Sequence, residues 1–201
     1  MHTKFERIKA LNAVAVRQSV ELVRAATAQD WSRPTPCSEW ALSDLVAHMT
    51  AQHRGFAAAA GGDGGDLAHW EVHPLGDDAI ARYTDAADDV LAAFASVKTA
   101  DTEFALPEFT TESTFPALLA VGFHLIDYLV HSWDVAATLG IGFEPDPELV
   151  EIGLPIALAV PQGPNRLEPG SAFRPVLATD DGATSMDQIL AVLGRSPDWH
   201  A

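Results

Sequence analysis

Hydrophobic positions recur at spacings of three and four along most of the chain, the period of a helix that packs by one face. From about Lys4 to Thr27, Ile8, Leu11, Ala15, Leu22 and Val23 share a broad face, while Glu6, Arg7, Arg17 and Arg24 sit largely elsewhere. The prolines of Arg33-Pro34-Thr35-Pro36 break this pattern. A second helix is predicted from about Leu42 to Ala60, ended by the glycine cluster between Gly61 and Gly65. A third, from about Asp77 to Val97, carries Ile80, Tyr83, Ala87, Val90, Leu91 and Phe94 at helical spacing. A Thr-, Glu- and Pro-rich stretch, 99–114, leads to a fourth helix that begins near Phe115 or Pro116 and stops at Gly140. This fourth helix is apolar nearly all round, so it belongs at the centre of the fold. A fifth, shorter helix over Pro147–Val160, a strand-like piece over Phe173–Ala178 and a last helix over Ser185–Leu193 complete the prediction.

Four long helices with apolar stripes argue for an all-α fold. The expected architecture is a four-helix bundle over about 1–140 with a C-terminal appendage over about 141–201, in one domain. A length of 201 residues supports one substantial core and would cramp a second.

Composition narrows the function classes. Hydrophobic residues make up 48% and charged residues 20%, an ordinary globular mixture that argues against wholesale disorder. With 12 basic and 28 acidic residues, the net charge of −16 repels nucleic acid and anionic membranes, which are set aside as partners in favour of a small-molecule substrate. The single cysteine, Cys37, cannot form an internal disulfide. The segment Met1-His2-Thr3-Lys4-Phe5-Glu6-Arg7 has no signal-peptide apolar block, and no apolar run approaches the roughly 20 residues of a membrane span. A cytoplasmic monomer or homodimer is the expectation.

The candidate chemistry lies in the apolar fourth helix, which contains His124, Asp127 and His131. Asp127 and His131 are four apart, about 40° around the helix and one turn along it, and His124 precedes Asp127 by three, so all three share a stripe. A buried carboxylate costs several kcal/mol without a compensating partner. A metal shared with His131 is one such partner; a hydrogen bond from His124, or an arginine, is another. On the second helix, His48 interrupts Leu45-Val46-Ala47-His48-Met49. Facing helices of a bundle can project ligands into one site, and His48, Asp127 and His131 would make a His₂-carboxylate set with an open coordination position. Asp134, three residues after His131, is a candidate to orient a ligand from behind or to cap a neighbouring backbone. Cys37 reads as a small buried apolar residue, with no sequence-adjacent base to make it a nucleophile. His53, Arg54, His69, Trp70 and His73 fall around the loop after the second helix, as pocket-mouth or ordinary surface residues, and loops 61–76 and 99–114 are expected to frame the mouth.

Three motifs carry a resemblance. Arg33-Pro34-Thr35-Pro36-Cys37-Ser38-Glu39-Trp40 with Asp44-Leu45-Val46-Ala47-His48-Met49 resembles the entry to the second helix of DinB-like proteins, in particular the actinobacterial branch that includes mycothiol-dependent maleylpyruvate isomerase. His131-Ser132-Trp133-Asp134-Val135-Ala136 is similar to that branch's His-Gly-Trp-Asp-Leu-Ala element, and Leu193-Gly194-Arg195-Ser196-Pro197-Asp198-Trp199 to its Gly-Arg-Asp-Pro-x-Trp ending. The resemblance implies an up-up-down-down bundle holding a divalent metal through His48, Asp127 and His131, with His124 as an alternative ligand. Zinc suits this set best; nickel, iron and manganese suit the same ligand types. It further implies an enzyme that uses mycothiol as cosubstrate, for S-transfer to an electrophile or thiol-assisted isomerisation. The alternative is a metal- or ligand-binding bundle without thiol chemistry. Asp127 departs from the family's usual glutamate by one methylene.

Overall fold

The computed structural model describes residues 2–37, 39–168, 171 and 173–200; Ser38 of the first motif lies outside them. Four helices form the bundle: α1 (His2–Arg24), α2 (Leu42–Gly61), α3 (Ala79–Ser96) and α4 (Ala117–Leu139). Each buries the stripe its sequence periodicity marks, such as Phe5, Ile8, Leu11 and Ala15 on α1 and Tyr83, Ala87, Val90 and Phe94 on α3. Helix α4 is the central one, buried at Ala120, Val121, Leu125, Tyr128, Leu129 and Val135 among others. Helix α1 ends three residues short of the expected Thr27, because the Thr27 amide and hydroxyl both donate to Asp30 (2.9 and 2.7 Å) and bend the chain into a turn. Among the described residues, no helix is long and apolar enough to cross a membrane.

Two helices run each way, as expected, but their order along the chain is up, down, down, up. Lys9 near the start of α1 donates to the Val97 carbonyl just past the end of α3, and Ser19 further along α1 meets the Tyr83 hydroxyl near the start of α3, so α1 and α3 are antiparallel. His53 lies beside His124, and His48 lies beside His131, so α2 and α4 are antiparallel too. The reason is the long α2–α3 connection. Its 3₁₀ turn (Leu67–Trp70) docks Trp70 against Phe56, and residues 71–75 run back along the Ala47, Thr50 and Arg54 stripe, so α3 starts again beside the first half of α2.

Trp70 fits there because Gly55 has no side chain. A Cβ at Gly55 would lie only 2.3 Å from carbons of the Trp70 ring, and the ring is fixed by its Nε1–H donating to the Gly64 carbonyl at 2.8 Å. The Gly55→Ala protein is expected to lose about 1–3 kcal/mol of stability, as overpacked cores do. Thermal unfolding measures it, as a Tm drop of about 2–12 °C at roughly 2–4 °C per kcal/mol.

The strand prediction needs correction. Phe173–Ala178 forms no strand; it is held instead by a backbone bond from Leu177 to the Ala191 carbonyl, by Arg166 donating to the Arg174 carbonyl and by an ion pair of Arg174 with Glu39. The two short strands are instead β1 (Glu103–Phe104) and β2 (Phe115–Pro116), paired antiparallel with Phe104 opposite Phe115. They pinch the base of the loop before α4, which therefore starts at Ala117 with Pro116 as its cap. In the appendage, α5 (Pro147–Leu158) lies on α4 through Gly153, close to Ile126 and Leu129, and α6 (Ser185–Val192) packs on α5 through Ile189.

Candidate metal centre

His48 projects from the first half of α2, and Asp127 and His131 from consecutive turns of α4. One ligand atom from each of the three lies within 4.8 Å of the others. His131 Nε2 is 3.3 Å from Asp127 Oδ1, and the His48 and His131 rings stand edge to face at 5.5 Å. His131 is buried at 4% exposure, while Asp127 keeps 29% of its side chain exposed, so the set is open on one side. The chain thus brings together two imidazoles and one carboxylate with room for a further ligand, the donor set of catalytic zinc sites. These donors fit a divalent ion.

Without an ion, the charges of the set pair with one another. Burial would raise the Asp127 carboxyl, but the charge and hydrogen bond of His131, with His48 and His124 adding, bring it down to about 2. Burial pushes His48 down to about 4, so it is a neutral donor at pH 7. Burial also opposes charge on His131, yet Asp127 on one side and Asp134 on the other hold it well above its ordinary value.

Behind His131 lies a second layer. His131 Nδ1 donates to Asp134 Oδ2 at 2.9 Å. Asp134 is fully buried and also receives Arg195, through Nε (3.3 Å to each oxygen) and one terminal nitrogen (3.1 Å), and the Cys37 thiol (3.3 Å). Cys37, His131 and Asp134 form another group with metal-binding atoms, but the Arg195 guanidinium lies 3.4 Å from Cys37 Sγ and on Asp134 itself. A cationic side chain thus already occupies that group, whereas the Nε2 side of His131, facing His48 and Asp127, carries none among the described residues.

The turn before α2 is built to reach both layers. The Thr35 hydroxyl donates to the Trp40 carbonyl (2.9 Å) and the Trp40 amide to the Cys37 carbonyl (2.8 Å). This knot puts Cys37 on Asp134 and sets Trp40 against His48, the rings tilted by 42° with centroids 4.8 Å apart. At the other side, loop 105–114 spans from α2 to α4: Glu108 accepts from Gln52 at 2.7 Å, and Phe109 stacks on Phe123 at 5.2 Å. Gln52 and Phe123 each lie one turn from one of the three residues, so this loop borders the open side of the set.

His124 is not with the ligands. Seven residues before His131, it sits roughly 10 Å further along the helix axis, at the level of His53. There Asn12 Nδ2 donates to His124 Nδ1 (2.8 Å), leaving His124 Nε2 to donate to His53 Nδ1 (3.2 Å). His53 stacks on Tyr128 at 4.0 Å, and Phe56 and Phe94 enclose the pair. Burial drives His53 well below its ordinary value and His124 to about 3, with Asp127 opposing at His124. His53 and Trp70 are thus core residues rather than mouth or surface ones; His69 is half-buried beside Asp63, and His73 is exposed. The sequence reading also gave no part to Arg195, whose only signal was the Gly-Arg pair of the tail motif.

Comparison with known proteins gives a match of residues 13–136 to the family model described as the mycothiol maleylpyruvate isomerase N-terminal domain. His48, Asp127, His131 and Asp134 fall inside the match, and Arg195 falls outside it. Uncharacterized proteins of two Mycobacterium tuberculosis strains, CDC 1551 / Oshkosh and H37Rv, are each 30% identical over 168 residues, covering 81% of this chain and 84% of theirs. No solved structure matches.

Proposed function

Because the chain belongs to the mycothiol maleylpyruvate isomerase N-terminal domain family, we propose that it is a metal-dependent enzyme acting with a low-molecular-weight thiol of the mycothiol kind. The reaction is S-transfer to an electrophile or thiol-assisted isomerisation. The observation that carries this reading is the convergence of His48, Asp127 and His131 with one side open. A divalent metal in such a set lowers the pKa of a thiol in its open position and supplies a thiolate at neutral pH; two imidazoles, a carboxylate and a thiol favour zinc. Asp127, though one methylene shorter than the glutamate expected from the resemblance, already reaches His131.

The chain's own residues do the rest. Asp134 accepts from His131 Nδ1 and so keeps Nε2 turned to the ligand set. Trp40 holds the His48 ring, and the Phe109–Phe123 stack gives the open side an apolar wall for the body of a substrate. The reading places the protein in the cytoplasm, where such thiols stay reduced.

The test is to incubate zinc-loaded protein with mycothiol and a panel of electrophiles, maleylpyruvate among them, and follow the mixture by mass spectrometry. A thioether adduct or an isomerised product above the metal-free control is the expected outcome. If neither forms, the thiol reading is lost and a metal- or ligand-binding bundle without turnover stands in its place.

A further inference from the structure

The C-terminal tail ends α6 with a specific device. The Gly194 amide donates to the Ala191 carbonyl (3.0 Å) and the Arg195 amide to the Leu190 carbonyl (2.9 Å), the paired bonds of a Schellman ending. Gly194 takes the left-handed conformation this ending requires, with φ of +81°, and a Cβ there would meet the Arg174 carbonyl oxygen at 2.6 Å. The turn folds Arg195 back toward the bundle. Its Nη1 donates to the Leu193 carbonyl (3.1 Å), and its remaining donors go to Asp134 and Cys37.

This contact decides whether Asp134 can serve His131. A fully buried carboxylate holding one imidazole N–H still has acceptor capacity to satisfy and charge to offset. Arg195 does both with a planar fork, and the Cys37 thiol fills a further acceptor position. The other buried arginine of the appendage is a contrast. Arg166 spends its donors on the carbonyls of Pro161, Arg174 and Val192 and touches no carboxylate among the described residues.

We propose that Arg195 is a positioning residue of the metal centre: by fixing Asp134 behind His131, it sets the orientation of the His131 ring and so the affinity and geometry of the ion held by His48, Asp127 and His131. The inference rests on the metal reading above. It gives the appendage, which lies beyond the matched family domain, a part in the site.

Zinc and cobalt(II) chloride serve as the probes, on the full chain. Dissociation constants come from chelator competition, and the cobalt d–d absorption band reports ligand geometry. Arg195→Ala is expected to weaken both ions about 10–100-fold, the usual effect of losing a partner behind a metal ligand, and to shift the cobalt band. Arg195→Lys keeps the charge without the fork and is expected to recover part of the affinity. In an Asp134→Asn background, Arg195→Ala is expected to have little further effect, since the two act through one contact. Arg166→Ala is expected to lower the melting temperature and leave both dissociation constants unchanged.

Unchanged metal binding in Arg195→Ala overturns the proposal while leaving the ligand assignment intact. Equal weakening by Arg166→Ala overturns it as well, because the effect is then general loosening of the appendage. If the unsubstituted protein binds neither ion, both the ligand assignment and this proposal fail. Should Arg195→Ala not fold, the Arg195→Lys affinity and cobalt band decide: values identical to those of the unsubstituted protein overturn the proposal.

Discussion

Replacing His131 with alanine is expected to leave a folded protein that no longer retains a divalent ion through purification. Tetrahedral sites deliver about 10–16 kcal/mol, so one ligand of four contributes about 2.5–4 kcal/mol, and affinity should fall roughly 10²–10³-fold. His131 is the residue to choose because it is shared by both layers: Nε2 faces Asp127 and Nδ1 faces Asp134. His48→Ala should lose the metal too. His124→Ala should keep it, since His124 is bonded to Asn12 and His53 and not to the ligand set. Elemental analysis after dialysis measures all three. Near-unit metal retained in both His48→Ala and His131→Ala, or metal lost equally from His124→Ala, would sink the assignment.

Mild acid is expected to unfold the protein through the histidine pair beneath the site. His53 and His124 are fully buried and held neutral, with His124 down to about 3 and His53 well below its ordinary 6.5. The unfolded chain takes up a proton at each near pH 6.5 and the native chain does not, so stability falls as pH drops below 6.5. Well below that value the slope approaches about 2.7 kcal/mol per pH unit for two protons. By pH 4.5 the pair therefore removes about 5 kcal/mol, the whole of a stability at the low end of the usual range of about 5–15 kcal/mol. Other groups do not reverse this. His48, down to about 4, acts in the same direction. The raised His131 gives stability that is fully present below 6.5 and lost only as pH rises, and the lowered Asp127 loses its contribution only below its ordinary 3.8. Urea unfolding of metal-free protein at pH 7, 6, 5.25 and 4.5 measures the slope. His124→Gln should reduce it by about one proton; an unchanged slope in that variant removes the pair as the cause.

Much of this was legible in the sequence, and the parts that were not have a common physical character. Periodicity placed the four long helices, and the spacing of His124, Asp127 and His131 within one apolar helix marked the stripe that carries two of the candidate ligands. His48 needed the facing helix, which spacing on one element does not supply. His124 misled because angle and height are separate coordinates on a helix: it shares the stripe and lies too far along the axis. The order of helix directions was decided by Trp70 folding back onto Gly55, a contact made by a loop without periodicity. Cys37 looked inert because its neighbours, Asp134 and Arg195, are 97 and 158 residues away. The tail motif was visible as Gly-Arg, but only the left-handed turn at Gly194 shows where the arginine goes.

That turn also imposes an order in time. A ribosome delivers α4 well before α6, and Arg195 follows Asp134 by 61 positions. Until the tail emerges, closing the bundle means burying Asp134 without its counter-charge, so the end of the bundle that holds His131 has reason to stay open on the nascent chain. The segment around Arg195 then locks in place helices that were synthesised before it, and a change in that segment bears on the candidate metal centre as well as on the tail.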